Sequence, residues 1–338
     1  MGNMKVSRRE FLRIVAVAGI GGFGLKVWLE AGAASQWHRA QDTRVLMGTV
    51  VNLIIVSEDA GTARAAIDAT FNRMAALEQV LSRFNPTSEL SQLNQTGRLD
   101  KPHPDMLQVL RLAQSTSAAS GGAFDVTIKP VLDLYQRAQA NEEPLPTPQA
   151  IEAALKLVNY QNLVADEAAI RLTQPGMSVT LDGLAKGYIV DRGVAELERL
   201  GFGHVTVEAG GDLMSLGTKE EDAPWKVGVQ SPRASHSGVM ASFTLRDRAA
   251  ATSGDYMQPF TPDLRLHHIL DPRTGQSPLE LASATITAPT AMQADALATT
   301  VMVLGSERGL AMIAEMPGVE AYVISKEMRV SQSAGFAS

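Results

Sequence analysis

The 338-residue chain contains no cysteine. That absence excludes disulfides, a cysteine nucleophile, thiolate-bound zinc, iron–sulfur ligation and a lipid-modified cysteine behind an export signal. Positive charge is not in excess either. Thirty Lys and Arg face 36 Asp and Glu, a formal charge of −6, which argues against broad binding to nucleic acid or to an acidic membrane surface. No internal repeat, low-complexity tract or clear linker is visible. The uncharged apolar run near the N-terminus, Ile14 to Leu25, falls short of the about 20 residues that span a bilayer. What is present is ordinary globular composition, 45% hydrophobic and 20% charged, enough for one large domain or two modest ones.

The charge is unevenly spread. Residues 1–33 carry five positives (Lys5, Arg8, Arg9, Arg13, Lys26) against two negatives (Glu10, Glu30), a net +3, and leave the remainder with 25 against 34, a net −9. In that first segment Arg8-Arg9 and Phe11-Leu12 precede the apolar run, and Ala31-Gly32-Ala33 then offers small residues at signal-peptidase spacing. This order resembles a twin-arginine (Tat) signal. The expectation is a signal over 1–33, one mature domain over 34–338, and a periplasmic location.

Along the mature chain, Val45 to Val56 reads as a strand interrupted at Met47-Gly48-Thr49. Ile67, Phe71, Met74, Leu77 and Leu81 recur at steps of three and four and predict a helix. Further helices are expected over Asp105–Ser120, Pro148–Leu157 and Gly183–Leu200, the last with Tyr188, Val190, Val194, Leu197 and Leu200 inward. Thr290 with Gln293 forms a capping box opening a helix to about Met302, and a second follows from Ser306 to Glu315. Strands are expected at Ser178–Leu181, Val205–Ala209, Trp225–Gln230, Val239–Leu245, Ala282–Thr287 and Ala321–Ile324. Helices and strands mix without strict alternation, so the fold class is α+β with an antiparallel sheet.

Glycine, acid and histidine clusters fall at the ends of these elements. Gly183 to Gly187 opens a helix, where unpaired N–H groups and the helix dipole favour a phosphate, although the same glycines also suit tight packing. Asp295 and Thr299 lie four apart on one helical face, oxygen donors of the kind Mg2+ takes; by spacing alone a surface Asp with an ordinary helical Thr is the better fit. His268, beside His267, precedes the turn-like Asp271-Pro272-Arg273-Thr274-Gly275 and has the ordinary pKa of a general base near neutrality.

Seven segments stand in order along the chain: Met47-Gly48-Thr49, Gly122 to Thr127, Gly183 to Tyr188, Gly210-Gly211-Asp212, Thr252 to Tyr256, His268 to Gly275, and Ala294 to Thr299. Together they resemble the ApbE family, the FAD:protein FMN transferases, from about Val45 to Ile324. The resemblance implies a tunnelling-fold-related α/β domain that binds FAD with Mg2+. It implies transfer of the FMN portion to a Thr or Ser hydroxyl of a target protein, with release of AMP, the target being an acceptor subunit of a membrane-associated redox complex. Carried over by motif, Met47, Ala123, Phe124, Asp125 and His268 to Leu270 would contact FAD, as would Thr180 and Phe84. Gly183, Asp295 and Thr299 would hold Mg2+, Lys186 would offset the diphosphate charge, and His268 would activate the acceptor hydroxyl. For Asp271 and Asp212, structural turn roles are equal candidates. Three positions depart from the family pattern: Thr180 replaces a common acid, Ala298 a common Asp or Ser, and Phe84 a common Tyr. The same residues would also serve an FAD hydrolase giving FMN and AMP, and a non-catalytic flavin-binding protein is the competing reading from another class.

Overall fold

The computed structural model describes residues 25–28, 37–219, 222–236 and 238–336. Most of the expected export signal lies outside the described residues; within it only Leu25–Trp28 is placed, as a strand (β1). The elements then run β2 His38–Leu46, β3 Thr49–Ser57, α1 Ala60–Leu81, α2 Glu89–Thr96, β4 Arg98–Asp100, α3 Pro104–Ala119, α4 Lys129–Ala140, α5 Pro148–Leu155, β5 Leu163–Ala165 and β6 Ala169–Leu172. They continue with α6 Ala185–Arg199, β7 Val205–Ala209, β8 Asp212–Leu216, β9 Trp225–Gln230, β10 Val239–Leu245, β11 Arg248–Gly254, β12 Leu281–Ala288, α7 Ala291–Ala314, β13 Glu320–Ser325 and β14 Val330–Gln332.

Eight strands form one sheet in the order β14-β13-β12-β11-β8-β7-β3-β2, every neighbouring pair antiparallel. Both faces are covered. Val51, Leu53 and Ile55 of β3 alternate toward a core shared with α1 and α6, while Ile54 and Val56 turn toward Trp225, Val227 and Val229 of a smaller sheet, β1-β9-β10. Period-two alternation with both sets apolar is what a strand needs between two layers. On α1, the five residues whose spacing predicts the helix are all buried.

The α+β expectation holds, with local corrections. The interrupted strand at Val45–Val56 is a hairpin: Met47 and Gly48 both take positive φ, 54° and 71°, the two-residue turn whose twist matches antiparallel strands. Ser178–Leu181 is extended but joins no sheet; the Asn94 side chain takes the place of a strand by bonding both Val179 N–H (2.7 Å) and C=O (2.9 Å). Leu200, expected inward, is the residue that ends α6 and is 37% exposed, and Phe202 is buried instead. The unforeseen α4 starts with Pro130 in its first turn and buries Val131, Leu132, Tyr135 and Ala138. The two late helices expected from the sequence are both present, joined within α7 at the non-helical Gly305 (φ 79°, ψ 178°), where the Cβ of any other residue would meet the Glu280 carboxylate.

Helices α6 and α7 approach closely at Gly187. A Cβ added at Gly187 would come within 2.3 Å of Ala291 O, a backbone atom that has no rotamer to yield. Gly187→Ala is therefore expected to lower unfolding stability by about 2 kcal/mol through overpacking, read as a fall in the urea midpoint at unchanged slope.

Candidate active site

Every site residue selected from the sequence lines a single cavity of about 270 Å³. The β2–β3 turn brings Met47, the loop after α3 brings Ala123, Phe124 and Asp125, and the turn before α6 brings Thr180, Gly183 and Lys186. The loop before β12 adds His268 and Leu270, and α7 adds Asp295 and Thr299. Phe84 stands at the rim, 74% exposed, with the Arg83 guanidinium 4.1 Å from its ring centre.

The deep end is acidic. Asp212 is fully buried and Asp295 is 5% exposed. Lys186 Nζ pairs with Asp212 Oδ2, while Gly187 N–H donates to Asp295 Oδ2 at 3.2 Å. Glu208, in the same neighbourhood, accepts from Gly211 N–H (3.0 Å) and Asn52 Nδ2 (2.7 Å). Burial raises the pKa of all three acids; for Asp295 the charge of Asp212 adds to the rise and Lys186 opposes it. Burial works against the Lys186 charge too, but Asp212 and Asp295 outweigh it and hold its pKa above the ordinary value. Lys186 thus faces two buried carboxylates and the half-buried Glu208, which leaves a local demand for positive charge.

Gly183 packs directly on Thr299: a Cβ there would lie 3.1 Å from Thr299 Oγ1 and 3.2 Å from the Phe124 ring. Thr299 Oγ1 also lies 3.3 Å from Ser253 Oγ of β11. Gly183, Thr299 and Asp295 offer only oxygen at this point, a donor set that suits a hard dication taking its remaining ligands from water or phosphate. Among the described residues no group of three or more His, Asp or Glu is arranged to hold a metal alone.

His268 sits on the wall with Nδ1 unpaired and its backbone N–H bonded to Gln258 O at 3.0 Å. Burial lowers its pKa to about 4; Asp182 pulls it up and Arg83 down. The imidazole is therefore neutral at neutral pH. His267 behind it is buried, its pKa lowered to about 3 mainly by burial.

Several of the expected site residues also have partners within the chain. The Asp125 carboxylate accepts from Thr127 N–H, Thr127 Oγ1 and Tyr160 N–H, so it braces the turn that presents Phe124. Asp271 is held by Arg273 through both oxygens and takes the turn role. Lys186 pairs with Asp212, which is fully buried behind the cavity lining and so has a charged partner beyond its turn. Leu270 packs with Leu132 and Tyr135, and Thr180 Oγ1 accepts from Asp182 N–H at 3.3 Å. Sequence reasoning missed Arg83 and Asp182, which pair at 2.7 Å, and Met257, Gln258 and Ser253. Ser253 stood within a recognised segment, whereas Arg83 is an isolated loop residue with no local signal.

A model of the ApbE family matches residues 47–323. The chain belongs to the ApbE family. Among similar proteins, the FAD:protein FMN transferase of Treponema pallidum is 30% identical, covering 92% of this chain and 93% of its own; that of Klebsiella pneumoniae is 31% identical with 83% of each covered. The solved ApbE protein of Thermotoga maritima superposes with a TM-score of 0.80 at 28% identity, over 88% of this chain and 98% of that one. The flavin transferase ApbE of Vibrio cholerae gives 0.77 at 27%, over 89% and 98%. These ApbE structures share the mixed helices and antiparallel sheet seen here.

A histidine folded with a depressed pKa is a stability device with a definite sign. Below about pH 6.5 the unfolded chain binds a proton that the folded His268 refuses, so its contribution is present above that pH and is lost as pH falls toward 4. The ring resonances of His268 are expected to titrate near pH 4 by NMR, and the loss of stability between pH 6.5 and 4 should be smaller in His268→Gln than in wild type.

Proposed function

We propose that the protein transfers the FMN moiety of FAD to a Thr or Ser hydroxyl of a target protein and releases AMP, with Mg2+ required. The observation that carries the reading is the meeting of all twelve selected residues in one cavity whose deep end joins a helix start to buried oxygen donors. The transferase names of relatives at about 30% identity over most of the chain support it.

In this reading Gly183, Asp295 and Thr299 hold the dication, which when bound neutralises charge on the diphosphate. The N–H groups at the start of α6 orient the phosphates, as helix N-termini do for anions. Phe124 and the rim residues Met47 and Phe84 offer apolar surface to the flavin. The acceptor hydroxyl oxygen attacks the FMN phosphorus, its proton passes to the His268 imidazole, and the bond from that phosphorus to the bridging oxygen breaks as AMP leaves. A neighbouring anion raises a histidine pKa, so bound diphosphate makes His268 a stronger base than in the free protein. The Tat-like segment supports a periplasmic site of action, and the family resemblance supports a subunit of a membrane-associated redox complex as the target.

The test combines the protein lacking residues 1–33 with FAD, Mg2+ and a candidate acceptor domain, and follows flavin fluorescence on the denatured acceptor together with AMP in solution. Labelled acceptor with equimolar AMP is expected; AMP without label would make the enzyme an FAD hydrolase, and intact FAD would make it a flavin carrier. Asp295→Ala is expected to reduce transfer on the order of 1,000-fold. His268→Ala should slow the chemical step roughly 100-fold or more with FAD affinity retained, as measured by fluorescence titration.

A further inference from the structure

Asp191 does not line the cavity, and none of the seven segments contains it. It lies one helical turn beyond Gly187 on the same face of α6. Its two carboxylate oxygens accept from the first two N–H groups of α7, Ala291 (2.7 Å) and Met292 (2.9 Å). Thr290 takes the next two, Gln293 N–H by its hydroxyl and Ala294 N–H by its carbonyl. The Ala294 bond is the first of the helix itself, so the N–H groups of Ala291, Met292 and Gln293 are all satisfied by side chains, two of them by a neighbouring helix.

The bonding is reciprocal. The first turn of α6 donates Gly187 N–H to Asp295 on α7, and the first turn of α7 donates two N–H groups to Asp191 on α6. Between these bonds the backbones touch at Gly187 and Ala291 with no room for a Cβ. Successive residues of a helix are about 100° apart, so a small rotation of α7 about its axis would swing Asp295 and Thr299 away from Gly183. Gly187 alone leaves that rotation to one 3.2 Å bond; the pair of bonds to Asp191 blocks it.

We propose that Asp191 is a positioning residue: by gripping the first turn of α7 it sets the rotation of that helix and so the placing of Asp295 and Thr299 beside Gly183. The consequence for metal affinity rests on the reading of these three residues as a Mg2+ site, whereas the consequence for the Gly187–Asp295 bond does not.

The test compares wild type, Asp191→Asn and Asp191→Ala. Amide hydrogen exchange is measured at Gly187 and, as a reference for global opening, at Val207 in the buried strand β7. Magnesium chloride is titrated by calorimetry on the same proteins. The expected result is exchange at Gly187 at least tenfold faster in Asp191→Ala with Val207 unchanged, an intermediate effect in Asp191→Asn, which keeps one acceptor oxygen, and a loss of Mg2+ affinity of about tenfold or more. Unchanged exchange at Gly187 in both variants overturns the proposal, as does equal acceleration at Gly187 and Val207, which marks a role in overall stability alone. A selective effect at Gly187 in a wild type that binds no Mg2+ would uphold the positioning and reject the metal reading.

Discussion

The backbone contact between Gly187 and Ala291 is the constraint on which the cavity depends. Two helices that approach so closely bring their N-terminal turns side by side, and each turn carries N–H groups with no partner in its own helix. Asp191 and Asp295 answer that need across the contact, one from each helix. The carboxylate that serves as acceptor for α6 is also the one that faces the cavity, so the helix start, the acid and the hydroxyl of Thr299 arrive as one unit. The glycines of the Gly183–Gly187 segment divide the two roles weighed for them: Gly187 serves packing, and Gly183 opens space against Thr299 and Phe124.

The second organising force is desolvation. Glu208 and Asp212 come from the central hairpin of the large sheet, β7–β8, and Asp295 from the helix laid across it. Covering that sheet on both faces removes water from these acids, which lifts their pKa values and concentrates their mutual repulsion on Lys186. That imbalance favours a cation at this end of the cavity, which is where the proposed function needs one. The same exclusion of water keeps His268 neutral, with an unpaired ring nitrogen at the wall.

At the rim the forces differ. Phe84 is held over the Arg83 guanidinium, which is itself tied to Asp182 in the turn leading to Gly183. A cation–π contact of this kind positions a ring while leaving its other face free. The exposed rim is thereby coupled to the turn that leads into α6, through a pair of charges that neither periodicity nor motif order reveals.

Much of the fold was legible in the sequence because its signals are local. Apolar steps of three and four marked α1, the Thr290–Gln293 box marked the start of α7, and β-branched runs marked five of the sheet strands; each depends only on which face of one element is apolar. The ordered segments likewise named the cavity residues by type. What stayed hidden depended on partners distant in the chain. The hairpin at Met47–Gly48 needed the pairing of its two arms, the Ser178–Leu181 stretch lost its strand to an Asn94 side chain, and Lys186 found Asp212 because sheet order set β8 beneath α6. Arg83 and Asp191 carry no local mark, since an ion pair and a borrowed helix cap exist only once two elements meet. Composition and periodicity therefore determined which elements form and which oxygen and nitrogen donors are available. Tertiary packing alone decided which of them face each other, because hydrogen bonding and desolvation act between elements that only the assembled sheet and helices bring within reach.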